Sequence, residues 1–414
     1  MSSLTEQATL EKLVASYERL VRLKQLQIDA LLDISQAINN NFPTSALLRI
    51  YEFTLKAQFS VPKLLVFVKN ENWECVCASG VSSEAKGIDI ERDLIFYEKM
   101  THLDEKKISA LKDFDVVIPV IHQGRALAFV LIGDMPENIS TEEQLRFIQT
   151  LTNIAIVAVE NRRLLRVQIE QEVLKKELEL AAQMQSTLFP EKLPDNDRVE
   201  MAAVYLPHHD IGGDYYDYIE LPDGRMMFCV GDISGKGVAA ALLMSNFQAN
   251  LRLLAKDITE LTVFIEMLND IVNRITRGEK FITLFLGIYN PKTRMLQYVN
   301  AGHNPSILYE DGNLTELTKG CTLLGMFEDL PRISAGELTV KRNALLINYT
   351  DGLTDFENEK QEYYGIERLN QFIRKHHWLD AEKFNKKLIE EVTEFKGAGG
   401  IFLDDITLLT CRFF

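Results

Sequence analysis

The 414-residue chain is poor in cysteine, in histidine and in net positive charge, and each shortage removes a class of function. Its five cysteines, Cys75, Cys77, Cys229, Cys321 and Cys411, are odd in number, and no pair has the spacing of a zinc knuckle. Neither a disulfide framework nor a cysteine-rich zinc site is expected, and the thiols read as reduced structural side chains. Cys75 and Cys77, two residues apart, are expected on one face of a strand as two buried thiols. The seven histidines, among them the His208-His209 step before Asp210, are too few for the His-rich ligand clusters that other two-metal hydrolases such as phosphodiesterases use. His102 and His122 stand alone and read as surface or hydrogen-bonded side chains. With 45 Lys and Arg against 60 Asp and Glu, the formal charge of -15 excludes a broad nucleic-acid surface and leaves carboxylates free to hold hard cations. No run approaches the roughly 20 apolar residues that span a bilayer. Residues 1–10 lack the basic start and apolar stretch of a signal peptide. A cytoplasmic protein with no membrane segment is the expectation.

What the chain does have is enough apolar sequence, 46% of its residues, for two ordinary cores. Leu10, Leu13, Tyr17, Leu20, Leu31 and Ile34 recur at helical steps and predict an amphipathic helix over 1–34 that packs on another helix. Apolar runs at 64–68, 116–121 and 126–132, the last two separated by His122-Gln123-Gly124, predict strands and a turn. A long helix is expected from the capping-box pattern Ser140-Thr141-Glu142-Glu143 up to Pro190. Within it Leu164, Val167, Leu174, Leu178, Ala181 and Leu188 keep a heptad register, with Gln171 and Gln185 at the intervening seam positions. That register allows a parallel dimeric coiled coil over 161–190; a single helix packed on its own domain is the alternative. From 191 to 414 short β-like runs alternate with glycine turns and two helical stretches, at 239–255 and 261–274, which is α+β patterning.

Four places in this second half put Asp where the chain reverses: Gly212-Gly213-Asp214, Gly231-Asp232-Ile233-Ser234-Gly235-Lys236-Gly237, Thr350-Asp351-Gly352 and Asp404-Asp405-Ile406-Thr407. Apolar runs at 228–230 and 344–349 lead into Asp232 and Asp351, so both acids are expected at strand ends on a common edge. Hard divalent ions favour carboxylate and water oxygens, and two such ions can activate one water for in-line attack on a phosphoryl group. A lone Asp-Gly is ordinarily a solvated turn; the set of acids is what suggests chemistry. Gly235-Lys236-Gly237 lacks the G-x-x-x-x-G-K-[ST] spacing of a nucleotide-binding loop.

The ordered series Ala181-Ala182-Gln183-Met184-Gln185-Ser186-Thr187-Leu188-Phe189-Pro190, Ile211-Gly212-Gly213-Asp214-Tyr215-Tyr216-Asp217, Gly231 to Gly237, Asn300-Ala301-Gly302-His303-Asn304-Pro305, Tyr349-Thr350-Asp351-Gly352 and Asp404 to Thr407 resembles the SpoIIE/RsbU branch of PPM serine/threonine phosphatases, over about 175–414. The resemblance implies a β-sandwich flanked by helices with a binuclear Mn²⁺ or Mg²⁺ centre. Carried over, Asp214, Asp232, Asp351 and Asp404 would be the catalytic metal-binding acids, and Ile233 would offer its backbone carbonyl, with Asp405 as the ambiguous neighbour of Asp404. His303 reads either as a general acid or, preferably, as a residue shaping a turn beside the site. Ala239 stands where many relatives carry Pro, at a helix start where Pro is tolerated but not required. The resemblance further implies a phosphorylated protein substrate, a STAS-domain anti-sigma-factor antagonist.

Residues 35–160 are similar in pattern to a GAF domain, an α/β sensor to which a small ligand or an activator protein would bind. The expected α+β architecture is thus an N-terminal helix (1–34), a GAF-like sensor (35–160), a helical coiled-coil linker (161–190) and a PPM-type catalytic domain (191–414), working as a homodimer in which the linker transmits the signal. The competing expectations are a catalytically silent scaffold that binds a phosphorylated partner, and a ligand-sensing adaptor.

Overall fold

The computed structural model describes residues 2–82, 84–103, 111–136, 142–208, 210–397, 399–400 and 402–414. It divides into two compact units, 1–172 and 173–414. The first contains α1 (Ser2–Asn39), α2 (Thr44–Phe59), β1 (Lys63–Lys69), β2 (Trp73–Ser79), α3 (Ile90–Asp93), β3 (Thr101–His102), β4 (Val116–His122), β5 (Arg125–Gly133) and the first part of α4 (Glu142–Ser186). The expected helix and the three expected strands are all present, the helix longer than its apolar periodicity. Ser140 and Thr141 of the capping pattern lie outside the described residues, as does His209.

The five strands form an antiparallel sheet in the order β2-β1-β5-β4-β3. β1 is apolar from Leu64 to Val68 because both of its faces are covered. Leu64, Val66 and Val68 meet Ala30 and Ile34 of α1, Leu55 of α2 and Ile148 of α4 on one face. Leu65 and Phe67 meet Ile90, Leu94 and Phe114 on the other. The two cysteines of β2 depart from expectation. The register runs Val66↔Cys77 and Phe67↔Cys75, leaving Val76 as the extra residue of a bulge. Cys77 therefore joins the first core, whereas Cys75 packs half-buried against the second. A bulge resets the two-residue alternation on which the one-face reading depended.

The second unit is a two-sheet sandwich with helices on both outer faces. Its elements are β6 (Val199–Leu206), β7 (Asp214–Glu220), β8 (Met226–Ile233), α5 (Val238–Leu254), α6 (Leu261–Thr276), β9 (Ile282–Asn290), β10 (Met295–Ala301), β11 (Ser306–Glu310), β12 (Asn313–Leu317), β13 (Gly320–Cys321), β14 (Gly336–Thr339), β15 (Ala344–Tyr349), α7 (Gly365–His376), α8 (Ala381–Lys396) and β16 (Ile406–Phe413). One sheet has the order β13-β10-β9-β8-β7, with β14 also on β10; the other has the order β12-β11-β15-β16-β6. Phe228, Val230, Phe285, Leu346, Leu409 and Cys411 fill the space between them. Met227, Cys229 and Leu286 look outward onto Met244, Phe247 and Leu268 of α5 and α6. On the opposite side Ile347 and Leu408 meet Phe372, Phe384 and Leu388 of α7 and α8. The fold is α+β, and this unit is the β-sandwich between helices that was expected.

Candidate functional site: an acidic edge of the sandwich

Four chain reversals meet at one edge of the second unit. Asp214 opens β7 and stands directly opposite Asp232 near the end of β8. Asp351 follows β15 in a short 3-10 turn, and Asp404 and Asp405 precede β16, the neighbour of β15. The apolar residues of β8 and β15 are locked in the sandwich core, so the acids at their ends are carried to the same edge by packing.

Asp214 is buried, and its Oδ2 accepts hydrogen bonds of 2.7 Å from both Thr350 Oγ1 and Thr407 Oγ1. The two threonines belong to the opposite sheet, and Thr407 N–H donates in turn to Thr350 Oγ1 at 2.8 Å. Burial, then the charge of Asp232, pushes the Asp214 carboxyl well above the usual carboxylate range. Asp232 is raised to about 6, first by burial and then by Asp351, Asp404 and Asp405. Burial, then Asp404, also raises Asp351. Like charges directly across a strand pair are destabilising unless something positive balances them.

The two candidates at 404 and 405 face different partners. Asp405 is buried and accepts from backbone amides, Oδ1 from His208 N–H at 2.7 Å and Oδ2 from Gly213 N–H at 2.6 Å. Asp404 is half-exposed, with Oδ2 3.3 Å from Lys236 Nζ. The loop before Asp214 is held from elsewhere too: buried Gln185, in the last turn of α4, donates from Nε2 to Gly212 C=O at 2.8 Å and accepts from Gly212 N–H at 3.3 Å. Gln185 is thus no seam residue, and Leu188 of the same heptad lies beyond the helix, packed on the core of this unit. His303 is bracketed by Asn300, which bonds both its N–H and its C=O, and its Nδ1 lies 2.9 Å from Thr283 Oγ1. Burial lowers its pKa to about 4, so at neutral pH it is an uncharged residue in a turn.

Asp214, Asp232, Asp351 and Asp404 thus share one edge, with the Ile233 carbonyl on the same strand as Asp232. Among the described residues, no group of three His, Cys, Asp or Glu side chains is arranged so as to hold an ion. The donor chemistry nonetheless fits hard divalent ions: oxygens only, a like-charge pair of one buried and one partly buried acid, and a glycine packed closely against the Ile233 carbonyl. A Cβ on Gly213 would fall 2.8 Å from Ile233 O and 3.6 Å from Asp232 Oδ1, so a side chain there would close the approach to both.

Comparison with known proteins was made over this geometry. Residues 222–414 match the family Stage II sporulation protein E (SpoIIE). That stretch, a little under half of the chain, is similar to a SpoIIE domain. The matched range includes Asp232, Asp351 and Asp404, while Asp214 and Gln185 lie before it. Protein IcfG of Synechocystis is 28% identical over 331 residues, which is 70% of this chain and 50% of IcfG. Phosphoserine phosphatase RsbU of Bacillus subtilis is 26% identical over 248 residues, 59% of this chain and 72% of RsbU. The chain therefore spans half the length of IcfG. Among solved structures, the SiaA-PP2C domain of Pseudomonas aeruginosa superposes with a TM-score of 0.53 at 20% identity, over 59% of this chain and 99% of that domain. That likeness is one of fold.

Residue-by-residue reading missed the groups that support these acids. Thr350 and Thr407 lay inside motifs already singled out, yet only strand pairing reveals that both hydroxyls reach one carboxylate. Removing one hydroxyl should be measurable: Thr407→Val deletes a charge-assisted bond of roughly 1.5–3 kcal/mol. Because that bond favours the ionised form of Asp214, its loss raises the Asp214 pKa further. If the site hydrolyses phosphate esters, the acidic limb of its pH–activity curve is expected to move upward, with kcat at pH 7 falling about tenfold. An unchanged pH curve would contradict this role for Thr407.

Proposed function

We propose that the chain is a metal-dependent phosphatase of phosphoserine or phosphothreonine on a protein substrate, a STAS-type anti-sigma-factor antagonist in a partner-switching pathway. The observation that carries the reading is the cross-strand pair of buried Asp214 and partly buried Asp232, at the edge shared with Asp351 and Asp404, in a chain resembling the phosphoserine phosphatase RsbU. Asp214, Asp232, Asp351, Asp404 and the Ile233 carbonyl would hold two Mn²⁺ or Mg²⁺ ions. Asp404 is preferred to Asp405 because Asp405 is buried with both oxygens holding amides of the loop before Asp214, whereas Asp404 is half-exposed. Bound ions would supply the positive charge that phosphoryl transfer to water needs and would acidify that water. The protein's own part is positional: Thr350 and Thr407 orient Asp214, Asp405 pins the Gly213 amide, and Gln185 pins Gly212.

The same reading assigns 35–160 to a GAF-like sensor for a small ligand or activator protein. It assigns 161–190 to a coiled-coil linker in a cytoplasmic homodimer, and 191–414 to catalysis. Leu164, Val167 and Leu174 support the linker assignment, since each exposes 39% or more of its surface. No helix among the described residues is long and apolar enough to cross a membrane, in keeping with that location.

The test is Mn²⁺-dependent phosphate release from a phosphoserine STAS-type protein by the intact chain. Release that is abolished by chelation supports the reading. A chain silent on this and on other phosphoproteins, yet still binding them, would instead be a scaffold.

A further inference from the structure

The loop between β8 and α5 carries positive charge over an acidic floor. Lys236 is half-exposed, its Nζ 3.3 Å from Asp404 Oδ2 and 3.2 Å from Leu403 C=O. Its charge is also felt at Asp232 and Asp351. On the other flank Lys280 leans over Gly235: a Cβ there would clash with its Nζ, and the backbone φ of +100° likewise demands glycine. The phosphate-bearing side chain of a substrate is a dianion, and the carboxylates beneath the loop would repel it. A cation at the rim that is held only by a half-exposed ion pair can change partners at little cost.

We propose that Lys236 is a resident counter-ion of Asp404 that, once a divalent ion takes over that carboxylate, turns to bind an oxygen of the substrate's phosphoryl group. The inference rests on the phosphatase reading for its biological meaning, but its physical content is an exchange of partners that can be measured without turnover. Two opposite effects follow from it. Deleting the lysine charge removes a competitor for Asp404 and should tighten Mn²⁺ binding; it also removes a charge-assisted bond to phosphate and should weaken phosphate binding. A lysine that merely supported the loop would weaken both.

The experiment is calorimetry on the full chain, wild type beside Lys236→Met and Lys236→Arg, titrated first with Mn²⁺ and then with inorganic phosphate in saturating Mn²⁺. Hydrolysis of p-nitrophenyl phosphate is followed in parallel. Lys236→Met is expected to bind Mn²⁺ about threefold more tightly and phosphate about tenfold more weakly, with Lys236→Arg restoring phosphate affinity. Mn²⁺ affinity that is unchanged or weaker, or phosphate affinity that is unchanged, overturns the proposal. If the wild type hydrolyses nothing while the calorimetric differences hold, the phosphatase reading fails and the exchange stands. If hydrolysis is robust and the affinities do not differ, the reverse conclusion applies.

Discussion

Asp232→Asn is expected to abolish Mn²⁺-dependent phosphatase activity, by about a thousandfold or more, and at the same time to make the ion-free chain more stable. The first effect follows from the position of Asp232, opposite Asp214 and within the electrostatic reach of Asp351 and Asp404. On the proposed reading Asp232 is one of the acids that hold the ions, and bound ions are worth several kcal/mol to phosphoryl transfer. The second effect follows from protons. An unfolded Asp ionises near pH 4, whereas folded Asp232 keeps its proton to about pH 6, because burial and the neighbouring carboxylates oppose its charge. Between those values the folded state binds more protons than the unfolded one. The contribution of this group to stability therefore falls as pH rises through the window, and above pH 6 it remains a penalty of roughly 3 kcal/mol. Asn carries no such penalty. In EDTA, urea unfolding should show the variant's advantage absent at pH 4, growing to pH 6 and level beyond. Mn²⁺ should raise the melting temperature of the wild type and leave that of the variant nearly unmoved. A variant that keeps a tenth of the activity, or that is less stable than wild type at pH 7.5 in EDTA, would remove Asp232 from the centre of the site.

The same residue shows how much of the site could be read in advance. The apolar runs at 228–230 and 344–349 read as strands, which places Asp232 and Asp351 at strand ends. That both emerge at one edge was expected from the strand ends alone, and the pairing of β8 with β7 and of β15 with β16 shows how it comes about. What lay beyond reach depends on atoms brought together across the two sheets: the hydroxyls of Thr350 and Thr407 on Asp214, and the amides that occupy Asp405. Periodicity misled in two places for one physical reason. It reports which residues share a face, but neither where a bulge resets the alternation, as at Val76 between the two cysteines, nor which surface a face meets. Gln185 keeps heptad spacing with Leu164 and Leu174, yet its partner is a backbone loop of its own chain.

That loop contact gives the second large effect. Gln185→Leu is expected to lower phosphatase activity about a hundredfold while costing roughly 2 kcal/mol of stability. The Gln185 amide satisfies both the N–H and the C=O of Gly212, which are buried and have no water to turn to. Leu leaves two backbone groups unpaired, each worth about 1 kcal/mol or more. Asp214 follows two residues later, and its carboxylate is useful only while it points at Thr350, Thr407 and Asp232, so slack at Gly212 should be paid in geometry at the acid. Activity should then fall further than stability alone explains, because the chain would still be overwhelmingly folded at 25 °C. The length of α4 sharpens the argument. One uninterrupted helix runs from Glu142, near Leu145 and Ile148 in the first core, to the turn that carries Gln185. If that helix carries a signal, Gln185 is the residue through which it reaches the acids, and the variant should be insensitive to whatever stimulates the wild type. Hydrogen exchange at the Gly212 and Gly213 amides reads the link directly. Faster exchange in Gln185→Leu together with lost activity supports it, whereas full activity with those amides unprotected would show that the loop needs no support from the helix.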